Sequence, residues 1–292
     1  MAEDTIIEQV LLVTAYKEFE YLKNFMKYAS DNGIAAVIHL DKKTVDSSFM
    51  KELNKLPNIV AISEYSVPWG GIQHVYSVIK LLDIALDNWP NLKYVHVITG
   101  QDAFSRNINE FKEFFSVANK NYMSVSDASN SNAFRYKVYY RNDLISYKKT
   151  IGNIVTKVLY MIQKALHIHR SSYNGWKIYK GMLYVSINRD FAKYVSEYCK
   201  SEEGSKYLAW LKWCFIPEEF FFQTLIMNST WIETVVNKNY RYALWQMKHG
   251  VQPGILDEDD FDTIMNYPCF FARKMSGDYS KELIRMLEFK NE

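Results

Sequence analysis

The stretch VLLVTA at residues 10–15 is a nearly continuous apolar run, which is typical of a strand buried on both faces of a parallel sheet. Apolar residues then recur at helical spacing between positions 19 and 26, and a second apolar run, AAVIHL, follows at 35–40. Because the period changes from strand to helix and back within thirty-one residues, these segments predict a β-α-β unit.

The same alternation continues along the chain. Further strands are predicted at 59–62 and 94–99, and further helices at 75–86 and 108–115. Strands that alternate with helices in this way indicate an α/β fold with a doubly wound, mostly parallel sheet. Such sheets bind ligands beyond the carboxyl ends of their strands. The segments in that position are Tyr16-Lys17, Asp41-Lys42-Lys43, Trp69-Gly70-Gly71 and Gly100-Gln101-Asp102, and together they indicate a nucleotide or sugar cleft.

Composition limits the class of protein. The 292 residues are 48% apolar, enough for one large domain, and 35 Lys and Arg against 33 Asp and Glu disfavour a nucleic-acid partner. The three cysteines are too scattered for a disulfide framework or a paired zinc motif. They suit a reducing compartment, and neither a secretory signal nor an eighteen-residue apolar run is visible, so we expect a cytoplasmic protein.

Glycine-rich nucleotide motifs are also missing. Neither G-x-G-x-x-G after the first strand nor G-x-x-x-x-G-K-[ST] occurs. A dinucleotide-binding fold and a P-loop kinase therefore both lose their main signal.

Two acids, Glu218 and Glu219, follow Pro217 at the start of an aromatic-rich segment. Acids at a helix start complement the positive end of its dipole, which would make them structural. A carboxylate set among aromatic side chains can also serve as a general base. The residues alone leave both interpretations open.

Two further charged segments have alternative interpretations. Arg273 and Lys274 follow an apolar pair, where they could hold a diphosphate or simply be solvated. Asp257 and Asp259 fit an Asp-x-Asp metal pattern, but acids just before a helical pattern more often cap it, and we favour the cap.

A helix is predicted from Ile151 to Arg170, with one apolar face and flanking cations at Lys148, Lys149, Lys157, Lys164 and Arg170. We favour packing of this face on the core. The alternative is a helix that lies on an anionic membrane.

Six short motifs, in this order, resemble the core-2/I-branching N-acetylglucosaminyltransferase family, also called glycosyltransferase family 14, which includes the peptide O-xylosyltransferases. The resemblance spans roughly residues 10 to 275. The motifs are VIHLDKK at 37–43, VPWGG at 67–71, TGQD at 99–102, PEE at 217–219, YRYALW at 240–245 and FARK at 271–274.

The resemblance implies a GT-A type fold with a mostly parallel, Rossmann-like sheet, a UDP-sugar donor, inversion at the anomeric carbon, and no metal or other cofactor. It also implies that Glu219 is the catalytic base and that Lys274, with Arg273 beside it, neutralises the diphosphate. We further expect the donor cleft to contain Tyr16, Asp41 and Trp69 and the acceptor side to contain Asp102, Arg135 and Lys137.

The whole chain, residues 1–292, is then one catalytic domain. Residues 10–126 form its nucleotide-sugar-binding half, and residues 127–292 supply the acceptor side, the base and the diphosphate-binding segment. The expected reaction moves a sugar, with N-acetylglucosamine favoured, to a hydroxyl of a glycan or lipid-linked glycan in bacterial surface polysaccharide synthesis, in the cytoplasm or at the inner face of the membrane.

Three alternatives stay open at this stage. One is the transfer of xylose or another UDP-linked sugar. The second is a sugar-binding relative without turnover. The third, a phosphate-ester or nucleotide-binding enzyme, requires a metal at Asp257 and Asp259.

Overall fold

The computed structural model describes residues 6–145 and 147–289, except for the side chain of residue 289. Its strands are β1 (Gln9–Ala15), β2 (Ala35–Leu40), β3 (Ile59–Ile62), β4 (Tyr94–Thr99), β5 (Asp102–Phe104), β6 (Asn121–Met123), β7 (Ser126–Asp127), β8 (Tyr179–Lys180), β9 (Ser186–Asn188), β10 (Val235–Asn237), β11 (Arg241–Ala243) and β12 (Phe271–Arg273).

Helices connect and flank these strands. They are α1 (Phe19–Asp31), α2 (Ser47–Leu53), α3 (Gln73–Asn88), α4 (Ile108–Val117), α5 (Phe134–Lys137), α6 (Thr150–Ala165), α7 (Arg189–Lys200), α8 (Glu202–Leu211), α9 (Phe221–Met227), α10 (Phe261–Asn266) and α11 (Lys281–Phe289). Single 3-10 turns occupy Tyr173–Gly175, Pro217–Glu219, Ile232–Thr234 and Glu258–Asp260. None of the helices in the described ranges is long and apolar enough to cross a bilayer.

The main sheet has the strand order β10-β6-β9-β4-β1-β2-β3. Its strands run parallel except β9, which pairs antiparallel with β4 and β6. The predicted α/β class with a mostly parallel sheet flanked by helices is therefore confirmed. Strands β9 and β10 belong to the predicted acceptor half, so both halves of the chain contribute to one sheet.

The continuous apolar run of β1 is explained by burial on both faces. Val10 and Leu12 pack on one side of the sheet with α3 and α7, whereas Leu11 and Val13 pack on the other side with α1 and α4. The bounds predicted for β2, β3 and β4 are those observed. Helix α3 extends two residues beyond each of its predicted ends, and α4 extends two residues beyond its predicted C-terminal end.

A second, three-stranded sheet has the order β11-β12-β5. Strand β12 runs antiparallel to β5, and its register pairs Arg273 with Asp102. The small sheet thus places the end of β12 beside the end of β4, where the ligand edge of the main sheet is expected.

The predicted helix 151–170 requires two corrections. Helix α6 ends at Ala165, and Arg170 is buried and not part of a basic helix face. Its guanidinium donates to the carbonyl oxygens of Tyr136 and Trp210 at 3.2 and 2.6 Å, because an arginine removed from water must satisfy its donors internally. The preferred core-packing interpretation of α6 is also wrong, since its apolar face is exposed.

Candidate functional site

Asp41 follows β2 and is buried at the ligand edge of the sheet. Its carboxylate accepts hydrogen bonds from the backbone amides of Lys43 at 2.9 Å and Val67 at 3.3 Å. The predicted donor-cleft residue Asp41 therefore anchors the loop that leads to Trp69.

The turn Trp69-Gly70-Gly71 depends on its glycines. Gly70 has φ +70°, a conformation that disfavours side chains, and its carbonyl accepts a hydrogen bond from Asn142 at 3.1 Å. A β-carbon on Gly71 would lie 2.7 Å from Pro68 Cγ. This tight turn holds the indole of Trp69, 38% exposed, in a stack with Tyr147 at 5.6 Å.

Phe215 completes this aromatic shelf, which we define as Trp69, Tyr147 and Phe215. Its ring meets the edges of Trp69 at 6.0 Å and Tyr147 at 5.1 Å. Flat aromatic faces with a polar rim suit the stacking of a base or a sugar ring.

Arg273, at the end of β12, is buried beside Asp102. Its Nε lies 3.5 Å from Asp102 Oδ1, and its guanidinium lies 4.0 Å from the ring centre of Tyr184. Asp102 also accepts a 2.8 Å hydrogen bond from the hydroxyl of Thr99. The acidic side chain of Asp102 and the basic side chain of Arg273 are therefore fixed at the end of β4.

Lys274 belongs to a cationic cluster that we define as Lys17, Lys148, Arg273 and Lys274. Burial lowers the pKa of Lys274 to about 8, and the positive charges of Arg273, Lys17 and Lys148 act in the same direction. Burial likewise lowers the pKa of Lys148, with Lys17 as the neighbouring charge. Because positive charges are held together here at an electrostatic cost, the cluster is arranged to receive an anion.

The segment after Lys274 is anchored from two directions. Met275 exchanges hydrogen bonds with Gln101, donating its amide at 2.7 Å and accepting from the side chain at 3.0 Å. The carboxylate of Glu18 accepts from the amide of Gly277 at 2.9 Å. These contacts join the loops after β1, β4 and β12, so the cations from those loops keep a defined geometry.

Glu219 ends the 3-10 turn Pro217–Glu219, which follows Ile216 in the left-handed region at φ 58°. A β-branched residue seldom adopts that conformation, and such strain concentrates at functional sites. Glu219 Oε2 lies 2.7 Å from Arg135 Nη1, and Arg135 also donates to the carbonyl of Phe215. The Glu219 side chain remains one-third exposed, so its oriented carboxylate is accessible to solvent.

Glu218 points to a different partner. Its Oε1 lies 3.5 Å from His74 Nδ1, while His74 Nε2 lies 3.1 Å from the hydroxyl of Thr14 at the end of β1. Glu218 Oε2 is buried without a hydrogen-bond partner among the described residues. Burial raises the pKa of Tyr184, the charge of Arg273 lowers it, and the charges of Asp102 and Glu218 raise it, so Tyr184 lies near all three groups.

The structure thus brings together most of the residues predicted for the site, but some of them contact other residues than the prediction implied. Asp102, predicted on the acceptor side, contacts Arg273, and Arg135 contacts Glu219. Lys137 is exposed, and within the described chain its side chain makes no hydrogen bond or ion pair with these groups. It lies two residues from Arg135 on α5, and that spacing points side chains to different faces.

Sequence reasoning placed Lys17 at the ligand edge without giving it a role, and it did not assign Lys148, His74 or Tyr184 to the site. The position of Lys17 directly after β1 was a usable signal, because ligand residues follow strands. Lys148, His74 and Tyr184 lie at positions that no local pattern distinguishes, and only tertiary contacts bring them to the cleft.

The Asp-x-Asp segment is a helix cap, as favoured from the sequence. Asp257 accepts from the amide of Asp259 at 3.2 Å, and its own amide donates to Asp260 at 3.0 Å, forming a capping box. Lys248 and His249 also pair with the carboxylate of Asp257. Among the described residues, no group of three or more His, Cys, Asp or Glu side chains could hold a metal ion.

Comparison with known proteins gives one family match. The family model described as Core-2/I-Branching enzyme matches residues 10–265. A xylosyltransferase of Ciona intestinalis is 24% identical over 305 residues, covering 96% of this chain but 33% of that protein. A human N-acetyllactosaminide beta-1,6-N-acetylglucosaminyl-transferase is 23% identical over 304 residues, covering 96% of this chain and 71% of that protein.

Comparison with solved structures gives matches of low TM-score. A glycosyltransferase involved in the glycosylation of the major capsid of PBCV-1 is 8% identical and has a TM-score of 0.38. The alignment covers 96% of this chain and 98% of that chain.

Proposed function

The chain belongs to the core-2/I-branching enzyme family, and we propose that it is a GT-A type glycosyltransferase that moves a sugar from a UDP-sugar to a glycan hydroxyl with inversion. The observation that carries this proposal is the cationic cluster together with the partly exposed carboxylate of Glu219, whose neighbour Glu218 contacts His74 and through it the end of β1. A transferase needs both groups, one for the departing diphosphate and one for the attacking hydroxyl.

In the proposed reaction, Glu219 removes the proton from the acceptor hydroxyl while the hydroxyl oxygen attacks the anomeric carbon. A new carbon–oxygen bond forms on one face of the sugar as the bond to UDP breaks on the other, and UDP leaves with the electron pair. Lys274 and Arg273 stabilise the negative charge that develops on the diphosphate. General-base assistance and charge stabilisation are each worth roughly a hundredfold or more in rate.

Arg135 is a positioning residue in this scheme. Its guanidinium is held by the carbonyl of Phe215 and lies over the rings of Phe215 at 5.9 Å and Phe220 at 5.0 Å. Because its own orientation is constrained, its ion pair fixes the Glu219 carboxylate.

The proposed reaction proceeds without a metal ion. Arg273 and Lys274 supply cationic groups for the diphosphate, and Asp257 of the Asp-x-Asp segment is already paired with Lys248 and His249. Tyr16 lies at the same end of β1 as Lys17, where it can line the donor side together with Trp69.

We propose N-acetylglucosamine as the transferred sugar and a bacterial surface polysaccharide as the product, with xylose as the alternative sugar. The names of the two relatives support both sugars for the family. A cytoplasmic setting suits the three cysteines, which are all free and buried.

The test measures UDP release from a panel of nucleotide sugars with a glycan acceptor, for the wild type, Glu219→Gln and the matched variant Glu218→Gln. We expect Glu219→Gln to lower kcat at least a hundredfold while UDP affinity is kept. Glu218→Gln changes the neighbouring acid in the same turn and reports any general disturbance of that turn. Excess chelator should leave turnover unchanged.

Three outcomes would contradict the proposal. Near-normal turnover of Glu219→Gln with loss of activity in Glu218→Gln would transfer the role of base to Glu218. Chelator inhibition reversed by manganese would show a metal-dependent reaction. Binding of a nucleotide sugar without turnover on any acceptor tested would favour the sugar-binding alternative.

A further inference from the structure

Helix α6 (Thr150–Ala165) packs on the protein with its polar side. Its buried residues are Gly152 and Thr156, and Gln163 on the same strip exchanges hydrogen bonds with the backbone of Tyr139 at 2.8 and 2.9 Å. These positions are spaced i, i+4 and i+11, so they share one face of the helix. The side that contacts the protein is therefore small and polar.

Next to this strip, α6 is apolar and exposed. We call this surface the exposed α6 face, and it consists of Ile151, Ile154, Val155, Val158, Met161, Ile162 and Leu166, with Leu159 at its border with the packed strip. Ile151 is 77% exposed and Leu166 is 66% exposed. Even the least exposed of these side chains, Val155, is 37% exposed, and an apolar surface of this extent on one helix is typical of an interaction site.

The acidic and basic side chains of this segment are of one sign. Lys157 and Lys164, two turns apart, lie along one edge of it, and Lys148 and Lys149 precede the helix. No Asp or Glu occurs anywhere between residues 144 and 189. Lys148 and Lys157 also line a surface depression at the N-terminal end of the face.

We propose that the exposed α6 face docks the protein on an anionic lipid surface. Apolar residues that enter the lipid boundary with lysines along the edge fit the chemistry of an anionic headgroup layer. A second copy of the chain fits less well, because a two-fold pairing of this face would bring the same lysines together without an acid nearby. The charge pattern therefore selects the lipid surface.

Docking by this face brings the candidate site to the membrane. Lys148 lies 5.5 Å from the ring centre of Trp69, and α6 begins two residues later. The N-terminal end of the helix thus lies close to the aromatic shelf. The docking proposal concerns a surface and is tested without donor or acceptor.

The experiment measures sedimentation of the intact chain with vesicles of phosphatidylcholine alone and of phosphatidylcholine mixed with phosphatidylglycerol. We expect strong binding to the mixed vesicles at low ionic strength, weak binding to the neutral vesicles, and loss of binding as salt screens the charges. Each lysine near an anionic surface contributes about fivefold to binding, so reversing Lys149, Lys157 and Lys164 to Glu should weaken binding on the order of a hundredfold or more.

Two further variants separate the contributions. The matched control reverses Lys51, Lys55 and Lys193, which are exposed elsewhere and change the net charge equally, and it should bind nearly as the wild type does. Changing Ile151, Val158 and Ile162 to Gln should reduce binding while the charges stay. Because these side chains are exposed, neither set of changes should lower the midpoint of thermal unfolding.

The proposal is overturned if the wild type sediments equally with both vesicle types or with neither. It is also overturned if the control reversal weakens binding as much as the α6 reversal does. Sedimentation velocity without vesicles provides the remaining test: a dimer that the Gln variant abolishes would identify the face as a contact between copies. UDP release on a water-soluble acceptor should stay normal in the α6 variants, so failure of docking and failure of the proposed function are distinguishable.

Discussion

Binding of UDP should weaken as pH rises above the pKa of Lys274. Burial and the charges of Arg273, Lys17 and Lys148 lower that pKa to about 8, so the ammonium group loses its proton at a pH where other lysines keep theirs. Below this pKa the cation is present and affinity is independent of its titration. Above it, the free protein must first take up a proton at Lys274 before it can pair with the diphosphate.

The magnitude follows from that equilibrium. If UDP binds only the protonated form, each pH unit above the pKa weakens apparent affinity tenfold, which is about 1.4 kcal/mol. Between about pH 7 and about pH 9, the Kd for UDP should therefore rise roughly tenfold. Affinity for UDP would rise with pH only if binding of the anion were strengthened by the loss of a proton. Deprotonation of any of the four cations of the cluster removes a positive charge and does not strengthen it.

The assay is calorimetric titration of UDP across this pH range, with uridine as a ligand that has the same base but no phosphate. Uridine reports any titration of the base or the aromatic shelf, and its affinity should change much less. Lys274→Arg is the matched variant, because arginine keeps its charge throughout and should remove most of the slope. A flat UDP profile in the wild type, or an equal slope in Lys274→Arg, would refute the assignment of Lys274 to the diphosphate.

Three other predictions follow from single contacts. Arg135→Gln should lower kcat roughly tenfold to a hundredfold without changing the Kd for UDP, because the Glu219 carboxylate is no longer held in place. If kcat and the affinity for UDP fell equally, a positioning role for Arg135 would be contradicted. Burial lowers the pKa of His39 to about 4, so as pH falls from 6.5 the unfolded chain takes up this proton before the folded chain does, and the folded state loses stability. Urea titrations should therefore show roughly 3 kcal/mol less acid destabilisation in His39→Gln than in the wild type. Equal stability profiles of the two proteins would show that His39 does not contribute. Gly181→Ala should lower thermal stability by roughly 3 kcal/mol or prevent folding, because its β-carbon would lie 1.8 Å from the carbonyl oxygen of Ser124, and an unchanged midpoint would refute that steric account.

Two histidines show how far local chemistry goes. His39 and His96 lie inside apolar strands, and each is a hydrogen-bonded core residue. His39 accepts from the amide of Tyr65 at 2.9 Å, and His96 contacts Ser186 and Gln9. A polar group within a continuous apolar run is buried, and burial requires partners, so this outcome is predictable without knowing who the partners are.

The pairs that form the site could not be predicted in the same way. Arg135 and Glu219 are 84 residues apart, and the approach of Arg273 to Asp102 depends on the antiparallel register between β12 and β5. Such contacts depend on topology and on the packing of loops. Local periodicity contains no information about either.

The amino-acid sequence by itself determined the alternation of strands and helices, the edge of the sheet where ligands are expected, and the order of the family motifs. Those features depend on interactions within a few residues, where apolar spacing and turn chemistry act directly. Only the tertiary structure decided which cations converge on Lys274 and which way α6 faces. The apolar period of α6 is the same for a core helix and for an exposed one, because periodicity defines a face and only long-range packing decides what that face contacts.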